Sequence, residues 1–180
     1  MSAEILAQRI KSNLQGATDA GDARKKLWDT VKSYIETNAR VTYSWAAVNS
    51  VTQPPTPDPI LTFPNLPIST SQDPGLESIV PESTWKQVTK AEEAMTLLSG
   101  AMNSCASTWL VQFPATLLVN PALVIPAIVL APSGLRDGDA AMVMLCNQIL
   151  SGLISCTPII SGTNNGVYVG AGSFTNLMIV

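Results

Sequence analysis

The chain has 180 residues and a formal net charge of −3. Hydrophobic residues make up 46% of it and charged residues only 13%, well below the roughly 25% of an average soluble domain. Its lysines and arginines form no stripe along which a phosphate backbone could bind, so we expect no nucleic-acid partner.

The chain contains no histidine, and its three cysteines, Cys105, Cys146 and Cys156, form no CxxC pair. Zinc sites are built from clustered thiolates and imidazoles, so a conventional one is excluded, and we expect neither a metal nor a cofactor. Free cysteines in apolar stretches usually pack as small hydrophobes. We therefore expect all three to be buried, with a disulfide or a reactive thiol as the alternative.

Charge is concentrated in the first half of the chain. No charged residue occurs from Ala94 to Leu135, and none occurs from Ala140 to Val180. This distribution indicates that the two halves of the chain have different surroundings.

Two helices are predicted at the start. Residues 2–15 carry apolar side chains on one face at helical spacing, which predicts an amphipathic helix and argues against a secretory signal. A turn follows in which Asp22 is predicted to cap a second helix from Ala23 to Asn38.

A strand and a proline-rich stretch come next. In RVTYSWAAV, the alternation of Val41, Tyr43 and Trp45 predicts one face of a β-strand. Prolines recur throughout residues 52–84, so we expect no regular secondary structure there. Frequent apolar insertions predict an ordered arm lying across a surface, either that of a neighbouring subunit or that of the chain itself.

The stretch FPATLLVNPALVIPAIVLAP, residues 113–132, resembles a membrane span in its hydropathy. Each proline inside a helix costs about 3 kcal/mol, and a lipid-facing segment must satisfy its own backbone, so a spanning helix is disfavoured. TLLV, ALVIP and AIVLA instead predict short strands that are covered on both faces. We expect part of that cover to come from another subunit.

Two further helices and a strand-forming tail complete the prediction. Ser83 is predicted to cap a helix of about twenty residues, and Asp139 lies near the cap of a last helix. The tail TNNGVYVGAGSFTNLMIV combines Asn-Gly and glycine-rich turns with short strands.

These elements predict an α+β fold in which amphipathic helices combine with short strands around a proline-rich extended arm. We divide the chain into an N-terminal helical pair with a strand (1–51), the arm (52–84) and an apolar helix and strand assembly domain (85–180).

A weak internal repeat is also present. Gly-Asp-Ala at Gly21 and again at Gly138 opens a helix that leads into a strand, which indicates a duplication, with chance as the alternative. The second of these helices is apolar on nearly all sides, so we expect it to be buried, in part by assembly.

We find no motif for a known reaction. No GxSxG, P-loop or GxGxxG lies between a strand and a helix, and GVYVGAG opens no helix, so turn glycines explain it best. The charged island from Arg136 to Asp139 is interpreted as a solvated turn and helix cap, with an ion site or an intersubunit salt bridge as the alternative. We predict no catalytic residues and no enzymatic activity.

The layout GDARKKLWDTVKSYIETNARVTYS, a capped helix followed by extended segments, resembles small virion proteins of tailed bacteriophages. In some of these, tandem helix-plus-extended units occur, and MTLLSGAMNSC with the later helix looks like a second unit. The resemblance implies a non-enzymatic structural subunit of the virion, present in several symmetric copies. Its place would be the tail, baseplate or neck, or the head.

The apolar second half of the chain fits such a subunit, because a permanent assembly can leave apolar faces for its neighbours to cover. Obligate interfaces resemble a domain core cut in half. We expect copies of the chain and other virion proteins as partners, and no membrane. A membrane-associated protein using residues 109–131 and an enzyme with an unfamiliar site are the alternatives. The predicted interface residues are Ile60, Leu61, Phe63, Leu66, Trp109, Phe113, Leu117, Leu118, Val124, Ile125 and Ile128.

Overall fold

Helices and antiparallel strands alternate along the part of the chain that the structure, a computed structural model, describes, residues 3–132 and 138–179. The helices are α1 (Ala3–Leu14), α2 (Ala20–Asn38), α3 (Leu76–Ile79), α4 (Glu82–Trp85), α5 (Ala91–Ala106) and α6 (Gly138–Ile154). The strands are β1 (Ala39–Asn49), β2 (Thr62–Ser69), β3 (Leu110–Val111), β4 (Leu117–Val119), β5 (Ile159–Asn164) and β6 (Tyr168–Ile179). The predicted α+β class is confirmed.

The strands form one curled antiparallel sheet in the order β3-β2-β1-β6-β5-β4. Its centre is the long pair of β1 and β6, which extends from Ala39 opposite Ile179 to Asn49 opposite Tyr168 with one register shift between Thr42 and Tyr43. Strands from all three predicted segments therefore lie in one sheet, over one continuous hydrophobic core. The division into three units stays a prediction.

The predicted alternation in β1 is confirmed. Val41, Tyr43 and Trp45 are buried on the concave face of the sheet. Tyr43 contacts the rings of Phe113 and Phe174 at centroid distances of 5.1 and 5.5 Å, and its hydroxyl donates to the Ile160 carbonyl at 2.6 Å. Burial raises the pKa of Tyr43 to about 12, so the phenol stays protonated at physiological pH.

The proline-rich stretch is only partly irregular. Residues 62–69 form β2, which pairs with β1 of the same chain, so the expectation of no regular structure is wrong there. The strand tolerates proline because β3 pairs with only Ile68 and Ser69, which leaves most of its outer side without a ladder. On that outer side, the Pro67 carbonyl accepts a hydrogen bond from the Gln112 N–H at 2.9 Å.

Two helix starts differ from the prediction. α2 begins one turn early, because Asp19 rather than Asp22 is the cap and accepts from the Asp22 N–H at 2.8 Å. The helix expected after Ser83 is divided into the short α4 and then α5, which begins at Ala91. The predicted first helix is confirmed as α1.

α1 packs against both α2 and α6. Its buried Leu6 and Ile10 face them, since residues four apart lie on one side of a helix. α2 leads into β1 and α6 leads into β5, which is the order of the weak repeat. The duplication itself stays a prediction.

The predicted Asn-Gly turn joins β5 to β6. Asn165 and Gly166 have φ values of 50° and 73°, a left-handed conformation that these two residue types adopt most readily. The turn aligns Asn164 opposite Tyr168 and so fixes the register of the hairpin.

Candidate assembly surface

The apolar stretch singled out in the sequence is neither a helix nor a set of strands throughout. After β4, residues 120–132 form a crossing segment that runs between α5 and α6. Val124 donates its N–H to the Trp109 carbonyl just beyond α5, and Ala127 donates to the Gly152 carbonyl in α6, both at 2.9 Å. The crossing segment is therefore part of the chain's own core.

Side-chain amides from the two helices hold its backbone. Asn103 of α5 accepts from the Ile128 N–H and donates to the Ile128 carbonyl, both at 2.9 Å. Ser99 donates to the same carbonyl at 2.7 Å. Gln148 of α6 pairs in the same two-way manner with Ala131, at 3.2 and 3.4 Å. These contacts replace the ladder that a neighbouring strand would supply.

Replacing Asn103 with alanine is expected to lower the free energy of unfolding by about 2–3 kcal/mol, because the buried Ile128 N–H loses its acceptor. The matched control is Gln8→Ala on the exposed side of α1, with an expected change below about 0.5 kcal/mol. Urea unfolding at fixed protein concentration measures the unfolding free energy of both variants. Equal losses in the two would show that Asn103 does not hold the crossing segment in place.

Burial alternates along the crossing segment. Val124 and Ile128 face the core and are at most 2% exposed, whereas Leu123, Ile125 and Val129 face outward and are 42%, 60% and 72% exposed. An extended backbone places successive side chains on opposite sides, which explains the pattern. The outward side is an apolar row that the described part of this chain leaves largely uncovered.

This row borders a groove of about 840 Å³ along α6. Ala127 and Val129 line one side, and Met144, Asn147 and Ser151 line the other. Met144 is 39% exposed, so the helix adds apolar surface to that of the crossing segment.

The side of the sheet that faces away from the core is a second surface that the described residues leave largely uncovered. Val48, Val169, Thr163 and Leu118 pair in register across β1, β6, β5 and β4 and so share one face. Ile159 lies on the same face and is 80% exposed. We call this surface the outer face; it comprises Ser44, Ala46, Val48, Leu118, Ile159, Ser161, Thr163, Val169, Ala171 and Ser173.

The structure separates the predicted interface residues into two groups. Four are exposed: Ile60, Leu61, Leu118 and Ile125. Phe113 is partly buried against the core. Six are core residues of the chain itself, which corrects the prediction for them: Phe63, Leu66, Trp109, Leu117, Val124 and Ile128. For Leu117, Val124 and Ile128 the cause is that alternate residues of an extended segment face inward.

Sequence reasoning missed Val129, Met144, Ile159 and Val169 as surface residues. A period-two pattern was available in the crossing segment, but both of its phases are apolar, so the pattern alone could not decide which face is covered. The helix prediction likewise left open which side of α6 meets α1.

A buried carboxylate links β1, β5 and the proline-rich stretch. Asp58 is 1% exposed and accepts from the Trp45 indole N–H at 2.8 Å and the Asn164 amide at 2.7 Å. Burial alone would raise the pKa of Asp58, but hydrogen bonds from Asn164, the Ile60 N–H and Trp45 outweigh it. They hold that pKa below its ordinary value of 3.8.

This lowered pKa predicts acid sensitivity. A carboxyl group whose pKa is depressed on folding stabilises the native state above its unfolded pKa, and the contribution is lost as pH falls below about 4. We expect wild type to exceed Asp58→Asn in unfolding free energy at pH 7, and the difference to shrink between about pH 4 and pH 2. Chemical unfolding at a series of pH values measures this difference. A difference that stays constant from pH 7 to pH 2 would contradict the lowered pKa of Asp58.

A second buried carboxylate joins the helices. The Asp73 side chain is fully buried and accepts from the indole N–H groups of Trp28 and Trp109, at 3.0 and 2.6 Å. The two indoles stack with centroids 5.3 Å apart, and the Gly75 N–H donates to the same carboxylate at 2.8 Å. The two indole contacts hold α2 to the segment just after α5, so this is a structural centre.

The three cysteines are free and buried, as predicted. Burial raises the pKa of both Cys105 and Cys146 to about 12, and it also raises the pKa of Cys156. Thiols in such surroundings are poor nucleophiles at neutral pH, since the reactive form is the thiolate.

Of the charged island, Arg136 and Asp137 lie outside the described residues. Asp139 is exposed and pairs with Lys11 of α1 at 2.7 Å. Within residues 3–132 and 138–179, no group of three or more Cys, Asp or Glu side chains is placed to hold a metal ion. In the same ranges, no helix has the length and hydropathy to cross a bilayer.

Comparison with known proteins adds no relative. No protein-family model, curated protein or solved structure matches the chain. The assignment of function therefore rests on the surfaces described above.

Proposed function

We propose that this chain is a non-enzymatic structural subunit of a viral particle, held in place by neighbouring subunits that cover its apolar surfaces. One observation carries the proposal: the chain completes a core of its own, and its described residues still leave open two surfaces that are rich in apolar side chains and poor in charge. They are the outer face of the sheet and the row and groove formed by the crossing segment with α6.

The composition of these surfaces supports permanent association. Apolar surface removed from water contributes roughly 25 cal/mol per Å², and fully burying one large aliphatic side chain contributes about 1.5–3 kcal/mol. Ile125, Val129 and Ile159 are each at least 60% exposed, so a neighbour that covers them gains much of that amount. Scattered exposed hydrophobes are ordinary, but rows of them mark interfaces.

Charge supports the same proposal. None of the ten outer-face residues is charged, and the one charged residue in these four strands, Arg40, lies at the start of β1 opposite Met178. Depletion of charge at the centre distinguishes interfaces from other surface. A subunit with such faces fits a symmetric assembly, in the tail, baseplate or neck of a particle or on its head, with copies of itself and other virion proteins as partners.

The two alternatives have less support. A membrane-associated protein would need residues 109–131 free to insert. Asn103, Gly152 and Gln148 instead bind the backbone of this stretch between two helices. An enzyme would need convergent polar groups in a pocket. The groove beside α6 is lined mainly by apolar and small side chains, and the buried carboxylates Asp58 and Asp73 are saturated by structural donors.

Particle association tests the proposal. Particles released from cells that produce the chain are purified on a density gradient and probed with an antibody raised against it. We expect the chain to sediment with the particles in constant proportion to a major virion protein, and gold-labelled antibody to mark one location by electron microscopy. A chain that remains at the top of the gradient would contradict a virion role.

A further inference from the structure

The groove beside α6 is an open, preformed cleft that could accommodate side chains of a partner. Ala127, Ser151 and Gly152 keep it open because their side chains are small or absent, whereas Val129 and Met144 rise at its two sides. The backbone beneath is fixed, since Ala127 donates to the Gly152 carbonyl and Ile128 is bound by Asn103. A partner therefore meets a preformed surface.

Charge restricts what can occupy this groove. Among the described residues that line it, Asp139 alone is charged, and it already pairs with Lys11. A partner that brought a charged side chain into the groove would lose hydration without gaining a counter-charge, which costs several kcal/mol. The occupant must be as uncharged and apolar as the groove itself.

The same chain presents such an occupant beside the groove. Ile125 and Val129 project from the crossing segment, 60% and 72% exposed, and no charge lies anywhere between Ala94 and Leu135. A two-fold contact needs projecting and receiving parts on one patch, because each copy uses the same residues. The crossing segment and α6 meet that requirement.

We infer that a second copy of this chain binds in this groove through an isologous contact, with the outward row of each crossing segment against α6 of the other copy. The inference rests on the proposed function and names the partner for one of its two surfaces. The outer face then remains available for a different neighbour in the assembly.

Val129→Glu and Met144→Glu test the contact, because each places a carboxylate in both copies of a two-fold interface. Val51→Glu is the matched control, since Val51 is 74% exposed on the loop after β1 and has no place in the groove. Circular dichroism melting establishes that each variant is folded, and sedimentation velocity over a hundredfold range of concentration measures association.

We expect both groove variants to raise the dissociation constant of the two-fold contact by at least about 100-fold, with Val51→Glu unchanged. If wild type assembles and the groove variants assemble equally well, the groove contact is wrong while the proposed function stands. If wild type is a monomer at every concentration, the proposed function fails together with this inference.

Discussion

Gly152→Ala is expected to lower the free energy of unfolding by about 3–4 kcal/mol, although alanine favours a helix interior by about 1 kcal/mol over glycine. A Cβ at position 152 would lie 2.3 Å from the Ile128 Cα and 2.6 Å from its nitrogen. Both are backbone atoms, so relief requires the crossing segment to move. Such a move also weakens the hydrogen bond from Ala127 to the Gly152 carbonyl.

Gly100→Ala is the matched control for this change. Gly100 lies in α5, and a Cβ built there has no neighbour within 4 Å, so we expect a gain of about 0.5–1 kcal/mol. Urea unfolding of both variants at one protein concentration keeps any contribution of association comparable. Two glycines that respond alike would contradict the close passage of the crossing segment over α6.

Asp73→Ala is expected to cost about 3–5 kcal/mol, because it leaves two buried indole N–H groups and the Gly75 N–H without their acceptor. Lys32, whose Nζ lies 3.8 Å from the carboxylate, also loses a counter-charge. Near-ultraviolet circular dichroism should change as well, since the stacking of Trp28 on Trp109 is fixed by the shared carboxylate.

Asp29→Ala provides the comparison for Asp73→Ala. Asp29 pairs with the same Lys32 at 2.8 Å, but its side chain is 50% exposed, so the expected loss is below about 0.5 kcal/mol. Thermal melts followed at 222 nm separate the two variants. A small effect at Asp73 would mean that the indoles find other acceptors and that α2 does not depend on this centre.

Local sequence signals were sufficient for much of the fold. Helical spacing located α1 and α2, strict alternation identified the buried face of β1, and Asn165-Gly166 located the hairpin turn. Each of these depends on contacts between residues close in the chain. The boundary error at α2 arose because Asp19 and Asp22 are equally good caps in isolation, and the geometry of the entering turn decides between them.

Long-range pairing could not be derived in the same way. β2 was missed because its prolines argue against a strand, and only the sparsely paired position outside β1 makes them acceptable. The crossing segment shows the same limit. Its apolar residues predict burial, but Asn103 and Gln148, which decide its path, lie 25 and 17 residues away from their backbone partners.

The candidate surface was partly visible in sequence. The apolar stretch 113–132 indicated a surface covered in part by another subunit, and Leu118 and Ile125 of that stretch are exposed. Which of the other apolar residues face outward depends on the phase of an extended backbone relative to its supporting helices. That phase is set by Gly152 and Asn103, whose roles have no local sequence signature.

We propose that copies of this chain cover each other's apolar surfaces, and light scattering measures the molar mass that would show it. Purified protein without detergent is diluted over two orders of magnitude at physiological salt. We expect a discrete oligomer whose mass is a whole multiple of 19.0 kDa and which persists on dilution. A monodisperse 19.0 kDa monomer at the highest concentration would contradict it.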